Sequence, residues 1–258
     1  MNRIFSMAMV VAALAVPGAA ALAEQVTQER AIDARVVKVK LGGVINLRIK
    51  QGAAPSLVLI GEKGHVSRVT VVQTGDTLVI DTDNGNDRGW HFGGRDKHDV
   101  RAELTLPNLS ELVSHGVGAS EVQGFTGNEV RLSLDGAGSV KLTSQYRNVV
   151  ARLGGVGSMT LNAGESDRVE LKLRGAGHIA VNGYSKLLRA NLGGVGSLDA
   201  RQLRADTVDL DMSGLGGATV YAKTSANLKL SGLGSATVYG NPRNRSTDAR
   251  GMGSVSWQ

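Results

Sequence analysis

The chain has 258 residues, with 29 Lys and Arg against 23 Asp and Glu, 35 Gly, nine aromatic residues and no Cys. Without cysteine there is no disulfide framework, thiol chemistry or cysteine-linked lipid anchor, so stability must come from ladder hydrogen bonds and stacked aliphatic side chains. The net charge of +6 is scattered along the chain, which reads as a solvated basic surface and not as a nucleic-acid footprint.

Residues 1–23 read as an export leader. Asn2 and Arg3 form a basic start, Ile4 to Val16 are mostly apolar, and Pro17-Gly18 breaks the run before Ala21-Leu22-Ala23, a small-x-small cleavage pattern. The apolar run is too short for a spanning helix, which needs about 20 residues, and no later stretch approaches that length. Cleavage before Glu24 leaves 28 basic residues against 23 acidic, a net charge of +5. The expected address is the periplasm, with the cell surface or secretion as alternatives.

Residues 24–110 read as an irregular β section that caps one end of a repeat region in the second half of the chain. Strands are expected over Val36–Leu41, Ile45–Lys50, Leu57–Ile60, Val66–Val72, Leu78–Asp81 and Val100–Leu106, separated by turn signals at Gly42-Gly43, Gln51-Gly52, Gly61-Glu62-Lys63-Gly64 and Gly75-Asp76. Between the last two strands Asp83–Asp99 breaks the pattern. It carries Trp90, His91, Phe92 and Arg95, the candidate partner-binding residues, although a plain connection is the simpler reading of a long polar loop. His91 and His98 with nearby aspartates match no specific metal spacing, so no metal site is assigned.

From residue 111 to residue 258 the chain is a repeat. Gly-x-Gly begins at Gly116, Gly136, Gly155, Gly175, Gly194, Gly214, Gly232 and Gly251, in steps of 18 to 20 residues. So short a unit cannot bury its own apolar face and must stack on copies of itself, as in a solenoid. Two residues before the first Gly stand Leu134, Leu153, Leu173, Leu192, Met212 and Leu230, and four before it Leu132, Ala151, Leu171, Ala190, Leu210 and Leu228. Polar residues such as Arg152, Lys172 and Asp211 lie between those columns, so the pattern has the period of two of a half-buried strand. A second strand leaves each corner, as in Val140-Lys141-Leu142. Strand, glycine corner, strand and polar turn such as Asn162–Ser166 make one coil of a parallel β-solenoid, with coils of about 19–20 residues and a rise of about 4.8 Å per coil.

The corner glycines read as structural, because the chain bends where a Cβ would strike the next coil. Ser139, Ser158, Ser197, Ser235 and Ser254 follow the second Gly in one column, positioned for hydrogen bonds from coil to coil. His115 and His178 are read as exposed corner residues. Gly-Ala-Gly and Gly-Val-Gly corners recur 39 residues apart, at Gly136 and Gly175 and at Gly155 and Gly194, which points to duplication of a two-coil unit. Trp257 falls in the inward column of Leu142 and Val238 and is expected to plug the last coil. An uncapped last coil would leave backbone unpaired and open to end-to-end self-association.

The runs Ile45–Gly52, Ser56–Gly61, Gly75–Asp81 and Leu104–Leu109, with the repeated Gly-x-Gly-Ser corners, resemble the bacterial exported head GIN domain family of adhesin-like proteins. That resemblance spans nearly all of the chain after the leader. It implies a right-handed parallel β-helix outside the cytoplasm, without catalytic residues to carry over. An autotransporter also needs a C-terminal translocator barrel, and the sequence shows no such pattern after its last repeat.

The expected function is therefore noncatalytic binding, adhesion or scaffolding in the cell envelope, with a glycan, an anionic polymer or a protein as partner and no cofactor. One rival is a carbohydrate-active enzyme on the same fold, because β-helices carry lyases and hydrolases. The outward columns mix Glu170 and Asp209 with Arg131 and Arg189, and Asp211 and Asp248 with Arg152, Lys172 and Lys229, which is the pattern of a soluble paired surface. Carboxylates converging on one groove would favour the enzyme. The other rival is a self-associating structural protein.

Overall fold

The computed structural model describes residues 25–82, 100–250 and 252–258. Its first part holds β1 (Gln25–Arg30), β2 (Lys38–Leu41), β3 (Asn46–Gln51), β4 (Ser56–Glu62), a one-turn helix α1 (Lys63–Val66), β5 (Val69–Thr74), β6 (Thr77–Thr82), β7 (Arg101–Leu106) and β8 (Glu111–Ser114). Long strands follow, each wrapping most of a coil: β9 (Val117–Leu134), β10 (Ala137–Leu153), β11 (Val156–Leu173), β12 (Ala176–Leu192), β13 (Val195–Met212) and β14 (Leu215–Leu230). The coil after β14 is divided between β15 (Leu233–Tyr239) and β16 (Asn244–Ala249), and β17 (Ser254–Trp257) stacks on β15 to open one more.

Consecutive long strands pair in parallel with equivalent residues in register: Leu142 lies beside Leu161, and Gly138 beside Gly157. The fold is a β-solenoid of about seven turns. Both predicted inward columns are buried; Leu134, Leu153, Leu173, Leu192, Met212 and Leu230 are at most 4% exposed. Bends occur inside the long strands as register shifts, for example between Asn162 and Glu165, where Gly164 takes φ +58°. There the buried Ser166 hydroxyl lies within hydrogen-bond reach of the Tyr146 and Ala163 carbonyls.

At the corners the backbone explains the glycines. Gly157 has φ +148°, and a Cβ on it would lie 1.9 Å from the Gly138 carbonyl oxygen one coil away. Corner amides are also occupied: Gly155 N–H donates to Leu134 O at 3.0 Å and Val156 N–H to Gly136 O at 3.0 Å. Those amides are therefore committed to the ladder rather than open to an anion.

The first part stacks out of chain order. The coil β2–β3 lies between two coils made later, with β2 parallel to both β6 and β8 and β3 parallel to both β7 and β9. Antiparallel strands then end the stack, β5 on β6, β4 on β7 and β1 on β4. Parallel coils cannot continue past such strands, so this end is covered.

Three local expectations change. Val66 does not open a strand; it anchors α1 by burial at 2% exposure, and the strand starts at Val69. Gly61 and Glu62 continue β4 instead of forming a turn. The strand β1 arises where none was expected, because a short polar edge strand such as Gln25–Arg30 has no strong apolar alternation to announce it. At the far end Trp257 sits beside Val238 as predicted, partly buried against the core, with the Arg245 guanidinium 4.8 Å from its ring centre.

Candidate functional site

The solenoid presents three surface features that carry side-chain chemistry. One is a groove of about 610 Å3 on the outward face of the strands that enter the corners. Alternation along each strand turns Leu171, Ala190, Leu210 and Leu228 inward and their polar neighbours outward, and stacking at about 4.8 Å lines those neighbours up as rungs. Glu170, Asp209, Asp211 and Asp248 meet Lys172, Arg189 and Lys229 there. The two outward columns that look like separate mixed ladders in the sequence thus form one concave surface on which four carboxylates do converge.

Most of these charges are tied to one another. Lys172 Nζ lies 3.0 Å from Glu170 Oε1, and Arg189 Nη2 lies 3.3 Å from Asp209 Oδ2 one coil away. Asn227 donates a 3.0 Å hydrogen bond to the other oxygen of Asp209, and Asp248 pairs with Arg250 at 3.0 Å. The hydrogen bond from Lys172 holds the Glu170 carboxyl below its ordinary range, so it is ionised at neutral pH and carries no proton to donate. The side chains of Asn191, Asp211 and Lys229 form no hydrogen bond or ion pair among the described residues, which leaves a donor–acceptor pair, an anion and a cation facing solvent in the same groove.

A smaller hollow of about 240 Å3 holds His178, Ser197 and Asp199. His178 Nδ1 is 2.8 Å from Ser197 Oγ, the one coil-to-coil hydrogen bond in the serine column among the described residues. The serines that do stand on adjacent rungs, Ser139 beside Ser158 and Ser235 beside Ser254, form no such bond. The longer imidazole bridges what serines cannot, so the expected serine ladder is absent. Asp199 instead accepts from the Arg201 amide at 3.1 Å. His115 and His178 are exposed, as read from the sequence.

The third feature is the column of residues between the two corner glycines, which Val44, beside Val117, extends by one rung. Val44, Val117, Val156, Val195, Leu215, Leu233 and Met252 are 46–84% exposed. With Ala137 and Ala176 they form one apolar ridge across the described corners, rung beside rung from Val44 to Leu233.

Trp90, His91, Phe92 and Arg95 lie outside the described residues, as do residues 1–23 and Gly251. The described chain leaves at Thr82, whose hydroxyl accepts from the Val44 amide at 3.2 Å, and resumes at Val100, whose carbonyl accepts from the Asn46 amide at 2.9 Å. Both points lie at the head of the ridge. Among the described residues no three His, Asp or Glu side chains gather as metal ligands, and no helix is long and apolar enough to cross a membrane. The groove and the ridge were both missed in the sequence, the first because its columns were read singly, the second because the residue between two glycines reads as filler.

Among solved structures the chain is similar to a putative adhesin from Parabacteroides merdae, with TM-score 0.78, 15% identity and coverage of 91% of this chain and 96% of that one. A protein from Parabacteroides distasonis, described as a putative lipid binding protein, gives TM-score 0.78, 19% identity and the same coverages. A putative adhesin from Bacteroides fragilis gives TM-score 0.65 at 21% identity, covering 91% and 97%. At these identities the likeness is one of fold. No curated protein matches the chain. The family model described as "Putative auto-transporter adhesin, head GIN domain" matches residues 37–242, most of the chain, and the protein belongs to that family.

Proposed function

We propose that this protein is an exported, noncatalytic binding protein of the cell envelope, acting in the periplasm, and that it holds an extended glycan along the polar groove between Glu170 and Asp248. The observation that carries this reading is the set of uncommitted groups, Asn191, Asp211 and Lys229, on a groove whose remaining charges are already paired. Paired charges shape the surface and resist rearrangement, while free ones offer hydrogen bonds to hydroxyls. Their regular rungs suit a repeating polymer, which gains strength from many weak contacts. The adhesin description of the family agrees with a binding role.

Convergence of four carboxylates keeps a second reading alive, a carbohydrate-active enzyme using this groove. A hydrolase needs one carboxyl that holds its proton and a second that does not. Glu170 is ionised, and Asp209 and Asp248 are engaged by neighbouring donors, which favours binding over cleavage.

Co-sedimentation of the protein with isolated envelope glycan at low and high salt tests the proposal. The triple variant Asn191→Ala, Asp211→Ala, Lys229→Ala should lose binding at least about fivefold. Unchanged binding in that variant would remove the groove from the function. Loss on changing Trp90, His91 and Phe92 to Ala instead would move recognition to that segment, and release of reducing ends would establish the enzyme.

A further inference from the structure

The ridge at the corners is apolar in every described rung, although nothing inside the coil requires it. These side chains point away from the core, and seven of them are about half exposed or more. A random surface column would mix polar residues in, as the columns of the groove do. Aligned exposed apolar groups on this scale mark an interaction surface.

Its relief is specific. From Val117 the rungs run Val, Ala, Val, Ala, Val, through Ala137, Val156, Ala176 and Val195, so teeth alternate with gaps. Glycine columns flank the ridge on both sides, and around Ala176 and Val195 the bare backbone leaves a shallow trough of about 580 Å3. A surface with alternating teeth and gaps and no side chains beside it fits a copy of itself turned end for end.

We infer that two copies of this chain associate side by side along their corner ridges, antiparallel, with a two-fold axis between the rungs of Val156 and Ala176. This placement seats Val156 over Ala176 of the second copy and Ala137 under Val195, so the four central rungs interlock, while Val117 meets Leu215 on either side of them. An isologous contact requires such reciprocal pairs. A parallel arrangement would set valine against valine and leave the gaps empty. Charge agrees with the antiparallel choice. The Arg174 side chain, beside the ridge, has no hydrogen bond or ion pair among the described residues, and the Asp135 carboxylate, two coils away on the same side, is held by Ser133 alone. End-for-end pairing brings Asp135 within one rung of Arg174 of the second copy, twice by symmetry. A strip about 40 Å long and one side chain wide removes on the order of 800 Å2 from the two copies, at the low end of specific contacts, so the dimer is a reversible one.

Sedimentation velocity of the full chain from micromolar to millimolar concentration should show a monomer passing to a dimer and stopping there. Val156→Lys should weaken association at least tenfold. The gap-filling pair Ala137→Leu, Ala176→Leu should also weaken it, although it makes the ridge more apolar. Arg174→Asp should weaken it, and adding Asp135→Arg should restore it. All these positions lie on the corner surface, and circular dichroism checks that each variant keeps its fold. A monomer at every concentration, growth beyond a dimer, or stronger association on filling the gaps would each overturn the inference. So would capture by phosphatidylethanolamine–phosphatidylglycerol vesicles that the Val156→Lys variant loses without any dimer being formed, because the ridge would then face a membrane.

Discussion

The phenolic hydroxyl of Tyr146 donates a 2.6 Å hydrogen bond to the Leu109 carbonyl, 37 residues earlier in the chain. Tyr146 is 2% exposed, and this bond fastens a bend of β10 to the segment that leads into β8. Tyr146→Phe keeps the ring and removes the donor, leaving a carbonyl without it. Chemical denaturation should show a loss of about 1–2 kcal/mol.

The same residue sets an alkaline limit. Burial pushes the Tyr146 hydroxyl above its ordinary value of about 10. The folded state therefore keeps a proton that the unfolded chain gives up, and stability is fully present below about pH 10 and falls as pH rises beyond it. In Tyr146→Phe that fall should be shallower. Equal slopes in the two proteins would show that Tyr146 does not control it.

Corner glycines divide into those that touch the next coil and those that do not. A Cβ on Gly155 would stand 1.9 Å from the Gly136 carbonyl oxygen, a contact that backbone cannot relieve by a rotamer change. Gly155→Ala should cost about 3 kcal/mol or more, from overpacking against fixed backbone. Gly193 is the control: its nearest neighbour would be the Ser213 hydroxyl at 3.5 Å, so Gly193→Ala should stay within about 0.5 kcal/mol of the parent. Thermal unfolding of the two variants side by side decides the matter.

On the strands leaving the corners, Glu121 binds two cations from neighbouring coils, Arg48 at 3.1 Å and Lys141 at 3.1 Å. A hydrogen bond from Gln123, with those from Lys141 and Arg48, holds its carboxyl below the ordinary range. The folded state then binds fewer protons than the unfolded chain, so this contribution is present above the unfolded value and is lost as pH falls through the folded one. Glu121→Gln should flatten the acid limb of the stability curve and cost about 0.5–1 kcal/mol at neutral pH. An acid limb of unchanged steepness would assign it to other carboxylates.

In the buried column Leu132, Ala151, Leu171, Ala190, Leu210 and Leu228, large and small residues take turns for five coils and then stop. Leu171→Ala should cost about 2–5 kcal/mol by opening a cavity, and Ala151→Leu about 1–3 kcal/mol by crowding its neighbours. Denaturant midpoints measure both. Little change in either would mean that the coils slide to accommodate volume.

The solenoid was legible because each coil writes the same short-range pattern, apolar residues two apart and a glycine corner, and repetition turns a weak signal into a strong one. Trp257 could be placed by counting from Leu142 and Val238. The stacking of β2–β3 between β6–β7 and β8–β9 could not be read, since no local pattern states which strand edge a coil will choose. The groove shares that difficulty: Glu170 and Lys172 are neighbours in sequence, but their meeting with Arg189, Asp209 and Lys229 depends on the coils being stacked. The helix α1 escaped because four residues carry no periodicity, and only the burial of Val66 marks it.

That stacking order fixes the sequence of folding events. Both β2 and β3 precede the partners on their two parallel edges; one set of neighbours ends at Leu106, and on the other edge β9 reaches β3 through Ser120 to Gln123. Assembly therefore waits on a costly closure of distant segments, the slow step in a fold dominated by long-range pairing. Once β9 is in place each later coil meets a finished edge, and β10 to β14 add as single strands, so the rest of the molecule grows like a zipper from a nucleus held in its first half.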